Sequence, residues 1–252
     1  MKGELIDLSR APGRKLGSFD LVLLPVGSLE YHGPHLPLTT DTMIAEGFAR
    51  RVGEILAEKG FRIALLPSIN YGYTWSLRHH DGTASVDPHV LSTMVQEILV
   101  SLANARFSKF LIINGHGGNK EPLEVAVKEA LLRLGAGISI GFLSWWEYLE
   151  KEDLDELLPG AIPSHACEVE TSLMFYLCED CVDLNEVEPV PLGKRTMLRS
   201  IEDARRTFSK GYLGNPSRAS KEIGERLFER VANRISSRLV EELKEKEMHG
   251  IE

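Results

Sequence analysis

The chain has 252 residues, is 43% hydrophobic and carries a formal net charge of −8, enough for a sizeable core and a poor match to nucleic acid as main partner. No stretch approaches the ~20 apolar residues of a membrane span, and residues 1–7 lack the apolar core of a signal peptide. The expectation is a cytoplasmic protein with neither nucleic-acid nor membrane partners.

The first strong element is a buried strand at 21–26, opening on the apolar run Leu21-Val22-Leu23-Leu24. A helix is predicted over 42–59, with Ile44, Phe48, Val52, Ile55 and Leu56 at helical spacing and Gly60 as its stop. Residues 62–66 read as the next strand. The long loop 67–87 carries Tyr71, Tyr73, Trp75, Arg78, His79 and His80, and loops of that length often carry function. A helix at 88–107, a strand at 109–113, a helix at 120–134 ended by Gly135 and a strand at 138–143 follow. This βα order predicts an α/β protein, a single-domain α/β/α sandwich with a mainly parallel central sheet spanning 1–252. Residues 217–246 place Ala219, Ile223, Leu227, Val231, Ile235, Leu239 and Leu243 on one stripe of a long amphipathic helix. It is expected to pack on the sheet or a neighbouring subunit. The charge run at 241–247 reads as its solvated end, His249 as part of a frayed tail, and His89 as a surface residue.

Three polar clusters interrupt this pattern. After the first strand, Glu30, His32, His35 and Asp41 fall within twelve residues, spaced by Gly27, Gly33, Pro34 and Pro37, which shape a fixed, non-repetitive backbone. Glu30 and His32 are two apart, so on an extended chain they share a side. The plainer reading is an N-cap aspartate with surface histidines. The strand at 109–113 then runs into Asn114-Gly115-His116-Gly117-Gly118-Asn119, where α/β proteins place ligand groups. The third cluster, residues 165–172, reads His-Ala-Cys-Glu-Val-Glu-Thr-Ser and enters an apolar run. Carboxylate and imidazole together suit a zinc, manganese or iron ion. Cys178 and Cys181 form a C-x-x-C pair, but after an apolar helix rather than in a redox strand–turn–helix, so they read as buried or merely adjacent thiols.

At these positions the sequence resembles the creatininase family of metal-dependent amidohydrolases. The matches are the Pro-Val-Gly-Ser-x-Glu-x-His-Gly-Pro-His-Leu-Pro-x-x-x-Asp signature at 25–41, the Asn-Gly-His-Gly-Gly-Asn turn at 114–119 and the His-Ala-x-x-x-Glu-Thr-Ser element at 165–172. Gly82-Thr83 and Gly214-Asn215-Pro216 are further similarities. The resemblance implies two divalent metal ions (zinc, manganese or iron) with Asp41 bridging them. Glu30 and His116 complete one ion, and His32 with a second carboxylate the other. A metal-bridged hydroxide would attack the amide carbon of a small cyclic amide or formamide, and His165 would protonate the leaving nitrogen. His35 is expected to orient a ligand from behind, and Thr74, Trp75, His79, His80 and Gly117 to contact substrate. The resemblance also implies a small-molecule substrate and a ring-like homo-oligomer, often a hexamer, with the helix at 88–107 supplying contacts.

The sequence departs from the creatinine-hydrolysing members. They carry a metal-site glutamate two residues after the Asn-Gly-His histidine, where this chain has Gly118. Glu170 is expected to replace it, with Glu168 in reserve. They also carry a Trp-Asp pair where this chain has Ala161 and Ile162, and a tyrosine at Gly117. The expectation is therefore a chain nearer the formamide-deformylase branch than true creatininase. The alternatives are a peptidase resembling the mycofactocin-maturing branch and a non-catalytic metal-binding scaffold.

Overall fold

The computed structural model describes residues 3–193 and 200–248, the last three by backbone alone; His249 lies outside the described residues. Five strands, β1 (Glu4–Asp7), β2 (Leu21–Val26), β3 (Arg62–Leu65), β4 (Lys109–Asn114) and β5 (Ser139–Ser144), form one sheet in the order β1-β3-β2-β4-β5. Every pairing is parallel. The helices are α1 (Thr40–Glu58), α2 (Pro88–Asn104), α3 (Lys120–Leu134), α4 (Lys151–Leu157), α5 (Glu168–Leu177), α6 (Ile201–Thr207) and α7 (Lys221–Met248). This is the mainly parallel α/β sandwich expected from the βα order.

Alternation along the central strands creates two cores. Leu21 and Leu23 of β2 pack with Phe48 and Val52 of α1, Leu173 of α5, and Leu227 and Val231 of α7. Val22, Leu24 and Val26 face the other way, onto Leu91, Val95 and Leu99 of α2 and Leu123 and Ala126 of α3. Both faces of β2 are therefore buried, which is why it reads as an unbroken apolar run.

Pro25 stands inside this central strand, where a missing N–H is normally costly. Its carbonyl accepts Ile69 N at 3.0 Å, on the β3 side. On that side β3 has already ended at Leu65, so the absent donor removes no ladder bond. The neighbouring Val26 faces β4 and accepts Gly115 N at 2.8 Å.

The strand order reverses between β2 and β4. The chain leaves β2 through α1 towards β3 on one side, and leaves β4 through α3 towards β5 on the other. Val26 and Asn114, the last residues of the two strands, are register partners. Two loops thus diverge from one level at the carboxyl edge, opening the crevice where doubly wound sheets bind ligands.

The stripe of α7 packs chiefly on α1 and α5 rather than directly on the strands, within the apolar cluster on that side of the sheet. Short elements escaped the periodicity. β1 is a four-residue edge strand beside β3, and α4, Lys-Glu-Asp-Leu-Asp-Glu-Leu, is too charged to show an apolar stripe. α2 ends at Asn104, earlier than expected, with Arg106 in the left-handed region at φ 76°. One sequence reading is overturned: Cys178 and Cys181 are joined in a disulfide at the end of α5 rather than being free thiols. Their three-residue separation across a helix terminus brings the sulfurs together. No helix of the described residues is long and apolar enough to cross a membrane.

α4 is tied to α7 by Asp153, whose carboxylate is only 1% exposed and accepts Arg230 Nη1 and Arg234 Nη2, each at 3.0 Å. Burial opposes its charge, but the bonds from Arg234, Glu150 N and Arg230 prevail and hold its acidity below the ordinary carboxylate range. Because the folded carboxyl titrates lower than the unfolded one, this stabilisation is present at neutral pH and lost as pH falls below the usual range. Asp153→Ala should cost about 1–3 kcal/mol by denaturant titration at pH 7. The gap to the unaltered protein should close on acidification; equal stabilities at pH 7 would refute the assignment.

Candidate metal centre and catalytic cavity

The first turn of α1 lies across the loops leaving β2 and β4. A Cβ at Gly115 would stand 2.0 Å from Asp41 O, so only glycine lets the helix start so close. Asp41 is therefore placed in the crevice itself, 2% exposed. Its Oδ2 accepts Ser28 Oγ at 2.7 Å and lies 2.8 Å from His116 Nδ1, while Oδ1 lies 3.0 Å from His32 Nε2. It sits inside the first turn, where the helix dipole favours negative charge, rather than at the N-cap, which is Thr39.

The three histidines share one design. His32 Nδ1 bonds Glu30 O at 2.9 Å, His116 Nε2 bonds Tyr73 O at 3.0 Å and His165 Nε2 bonds Tyr31 O at 2.9 Å. Each carbonyl demands an N–H and fixes the tautomer, leaving the other nitrogen aimed at carboxylates. Imidazoles that ligate metals are commonly oriented this way. His116 Nδ1 also approaches Glu30 Oε1 at 2.9 Å, and His165 Nδ1 approaches it at 3.5 Å. The 2.9 Å approach is an ion-pair distance without hydrogen-bond geometry. Both oxygens of the fully buried Glu30 consequently lack a hydrogen bond, an arrangement that costs free energy unless a cation satisfies it.

Donor atoms within 4.8 Å of one another form three groups: Glu30, Asp41 and His116; His32, Asp41 and Glu170; and Glu30, His32 and His165. Asp41 is common to the first two. The donor set of these groups fits divalent ions of the zinc, manganese or iron type. Glu168 is engaged elsewhere: its Oε2 accepts Asn215 N at 2.8 Å, and Arg218 Nη1 is 3.6 Å from Oε1.

The electrostatics match this crowding. Burial favours a neutral Asp41, yet His32 and His116 outweigh it and hold the carboxyl well below the ordinary range. Burial likewise opposes the imidazolium of His32, but Asp41 and Glu30 lift it to about 9. His116 is raised well above its ordinary value against burial, by Glu30 and Asp41. Burial raises Glu30, partly offset by His116. Burial and then the charge of Asp41 push Glu170 to about 8. His165 falls to about 3 through burial and the neighbouring His32.

The segment bearing His165 and Glu170 is held by His35. Its Nε2–H donates towards Ala166 O at 3.1 Å and faces Thr171 Oγ1 at 3.2 Å. Ala166 is left-handed at φ 49°, a strained state that needs such support; Ala166 N also donates to Glu170 Oε2 at 2.6 Å. His35 thus acts on the backbone between the clusters and touches no other carboxylate or imidazole of the centre.

A cavity of about 320 Å³ opens onto Glu30, Asp41, His116, His165 and Glu170, walled by Trp145, Trp146, Pro163 and Phe208. Of the residues expected to contact substrate, Gly117 lines it. Trp75 and His79 line a neighbouring cavity, Thr74 is 1% exposed and away from the wall, and His80 stacks on Tyr31 and bonds Phe208 O at 2.6 Å. The aromatic loop places its Ser76 and Leu77 on the main wall instead. Ser28 and the carbonyl of Tyr73 were not singled out from sequence. Ser28 lies inside the 25–41 signature and was open to that reading; the Tyr73 carbonyl has no sequence signal.

A doubly wound parallel sheet with buried carboxylates and imidazoles gathered at its switch point defines an α/β protein of metallohydrolase architecture. The creatininase family model, described as creatinine amidohydrolase, matches residues 11–239. The chain belongs to the creatininase family. It is 33% identical over 237 residues to the mycofactocin precursor peptide peptidase of Mycolicibacterium smegmatis, covering 92% of this chain and 90% of the relative. It is 29% identical to the creatinine amidohydrolase of Pseudomonas putida, covering 88% and 89%. A deformylase of Methanococcus maripaludis acting on 2-amino-5-formylamino-6-ribosylaminopyrimidin-4(3H)-one 5'-monophosphate is 33% identical over 140 residues, 52% of this chain and 56% of the relative. A manganese form of creatininase superposes with a TM-score of 0.86 at 26% identity, over 95% of this chain and 99% of that one. A mutant creatininase of Zn-Zn type gives the same score, identity and coverage. These identities do not select a branch.

Asp41→Ala should remove both metal equivalents, since it takes a donor from two groups at once. Elemental analysis after metal loading checks this; two retained equivalents would show that Asp41 is not shared.

Proposed function

We propose that this chain is a dinuclear metal-dependent hydrolase cleaving a C–N amide bond of a small cyclic amide or formamide. In this reading Glu30, Asp41 and His116 hold one divalent ion, and His32, Asp41 and Glu170 hold the other. The chemistry such ions supply when bound is polarisation of a carbonyl and acidification of water from about 15.7 towards about 7. The observation that carries the reading is the pair of buried Glu30 oxygens without hydrogen bonds, ringed by imidazole nitrogens whose partners are already fixed to backbone carbonyls.

The protein's own part follows from its geometry. His165 Nε2 is committed to Tyr31 O, so Nδ1 is the atom that takes a proton from the attacking water and returns it to the leaving nitrogen. Its depressed basicity owes its second cause to the charge of His32; His32 serving as a neutral ligand removes that cause. Trp145, Trp146 and Phe208 offer flat walls to a planar amide and exclude water from it.

Creatinine is a poor match for this cavity. Ala161 and Ile162 are absent from its wall, with Ile162 60% exposed. Trp145 and Trp146 restore an aromatic surface from another segment, but the cavity's carboxylates, Glu30, Asp41 and Glu170, all belong to the centre itself. A second reading, peptide hydrolysis, is favoured by the near-complete coverage of the mycofactocin peptidase relative.

His165→Ala should keep both metal equivalents and lose about 10²–10⁴-fold in turnover. Loss of metal would make His165 a ligand instead, as its place in the third donor group allows, and an unchanged rate would remove it from the chemistry. Metal-loaded protein assayed against creatinine, formamide-bearing pyrimidine nucleotides and peptides separates the branches. The expected creatinine kcat/KM lies below about 10⁴ M⁻¹s⁻¹, the low end for good enzymes; a higher value, or peptide turnover alone, would overturn the assignment.

A further inference from the structure

Next to the catalytic cavity lies a second one of about 180 Å³, lined by Trp75, Arg78, His79 and Arg205 among others. Ser76 lines both, so the two spaces lie side by side on the same loop. We propose that the second cavity is a subsite for a phosphate group carried by the substrate, with Arg78 and Arg205 as its cations. This rests on the small-molecule reading of the catalytic cavity.

Three observations carry it. First, two arginines and an imidazole converge from segments far apart in sequence, the loop after β3 and helix α6, in a chain of net charge −8. A protein that repels anions overall needs such a local concentration of cations to hold one. Second, among the described residues neither arginine has an ion-pair or hydrogen-bond partner, whereas neighbours in sequence or space do. Arg206 pairs with Asp203, and Arg218 approaches Glu168. Third, His79 Nε2 is buried without a partner. Burial, His80 and Arg205 hold this imidazole below its ordinary range, and an anion relieves the two repulsions. Guanidinium forks match phosphate oxygens in geometry as well as charge, and a tetrahedral dianion can engage several donors at once. Trp75 gives a flat apolar wall for the carbons joining the phosphate to the rest of the molecule.

The test is calorimetric titration of the metal-loaded 252-residue chain with ribose 5-phosphate, inorganic phosphate and acetate, repeated on Arg78→Ala, Arg205→Ala and Arg78→Lys. Both arginines are exposed, and unchanged melting temperatures verify that the variants fold. Ribose 5-phosphate and inorganic phosphate should bind the parent protein. Affinity should fall at least tenfold in each alanine variant, about 1.4 kcal/mol, be partly kept in Arg78→Lys, and weaken with added salt. No binding to the parent, or binding unaffected by both alanine changes, as expected for phosphate seated on the metal centre, overturns the proposal. Acetate competing as well as the phosphate ester overturns phosphate in favour of a carboxylate. Arginine-dependent phosphate binding without turnover of any amide upholds the subsite while refuting the catalytic reading.

Discussion

The buried carboxylate of Asp41 is the contact on which the centre depends. It can lie there only because α1 begins above the carboxyl edge, which in turn needs β2 and β4 to diverge at one level and Gly115 to admit a backbone within 2.0 Å of where a side chain would start. From that position one carboxylate draws His32 and His116 together from loops of different strands. The sheet supplies the place, the glycine the clearance, and the helix a dipole that favours negative charge.

Around this carboxylate, the imidazoles are aimed by main-chain carbonyls, and side chains hold that main chain in turn. Three backbone carbonyls hold three imidazoles, and two of them, those of Glu30 and Tyr31, belong to the same short stretch. That stretch is itself pinned: Glu30 N donates to Leu38 O at 2.9 Å, and Tyr31 N to Thr83 Oγ1 at 3.0 Å. The role of Thr83 gives a physical reason for the Gly82-Thr83 pair in the sequence. Asn119 does a similar task across the crevice, donating to Gly27 O at 2.9 Å and accepting Tyr73 N at 3.0 Å. A centre built on carbonyls has its directions set before any ligand arrives, so little ordering entropy remains to oppose binding.

Much of the framework was legible because it is written in periodicity. The unbroken apolar run of β2 and the stripe of α7 both report burial directly, and the three polar clusters fall where those patterns stop. Of the residues brought together, Glu30, His32, Asp41 and His116 stood out because glycine, proline and imidazole are poor packing choices at strand ends, while the parts given to His165 and Glu170 came from the resemblance to the creatininase family. What escaped depends on three-dimensional proximity. The sequence leaves Trp75, Trp145 and Trp146 alike as candidates for an aromatic wall, and only the course of β5 beside β4 puts the last two on this cavity. The Tyr73 carbonyl carries no side-chain signal, and the loop around it mixes inward and outward residues without a period. The Cys178–Cys181 bond is a matter of geometry at a helix end, which composition does not encode.

Gly118 has a consequence for how such centres change over evolutionary time. A Cβ there would stand 2.1 Å from Tyr73 O and 2.6 Å from His116 Nε2, and that carbonyl is the one anchoring the same imidazole. A carboxylate cannot be introduced at this position while the anchor stays in place. Moving the carbonyl aside frees His116 before the newcomer contributes anything. Placing a carboxylate at 118 therefore requires the loop and the residue to change together. A chain taking the steps singly would pass through a form that has lost the His116 anchor before any new side chain could replace what it held.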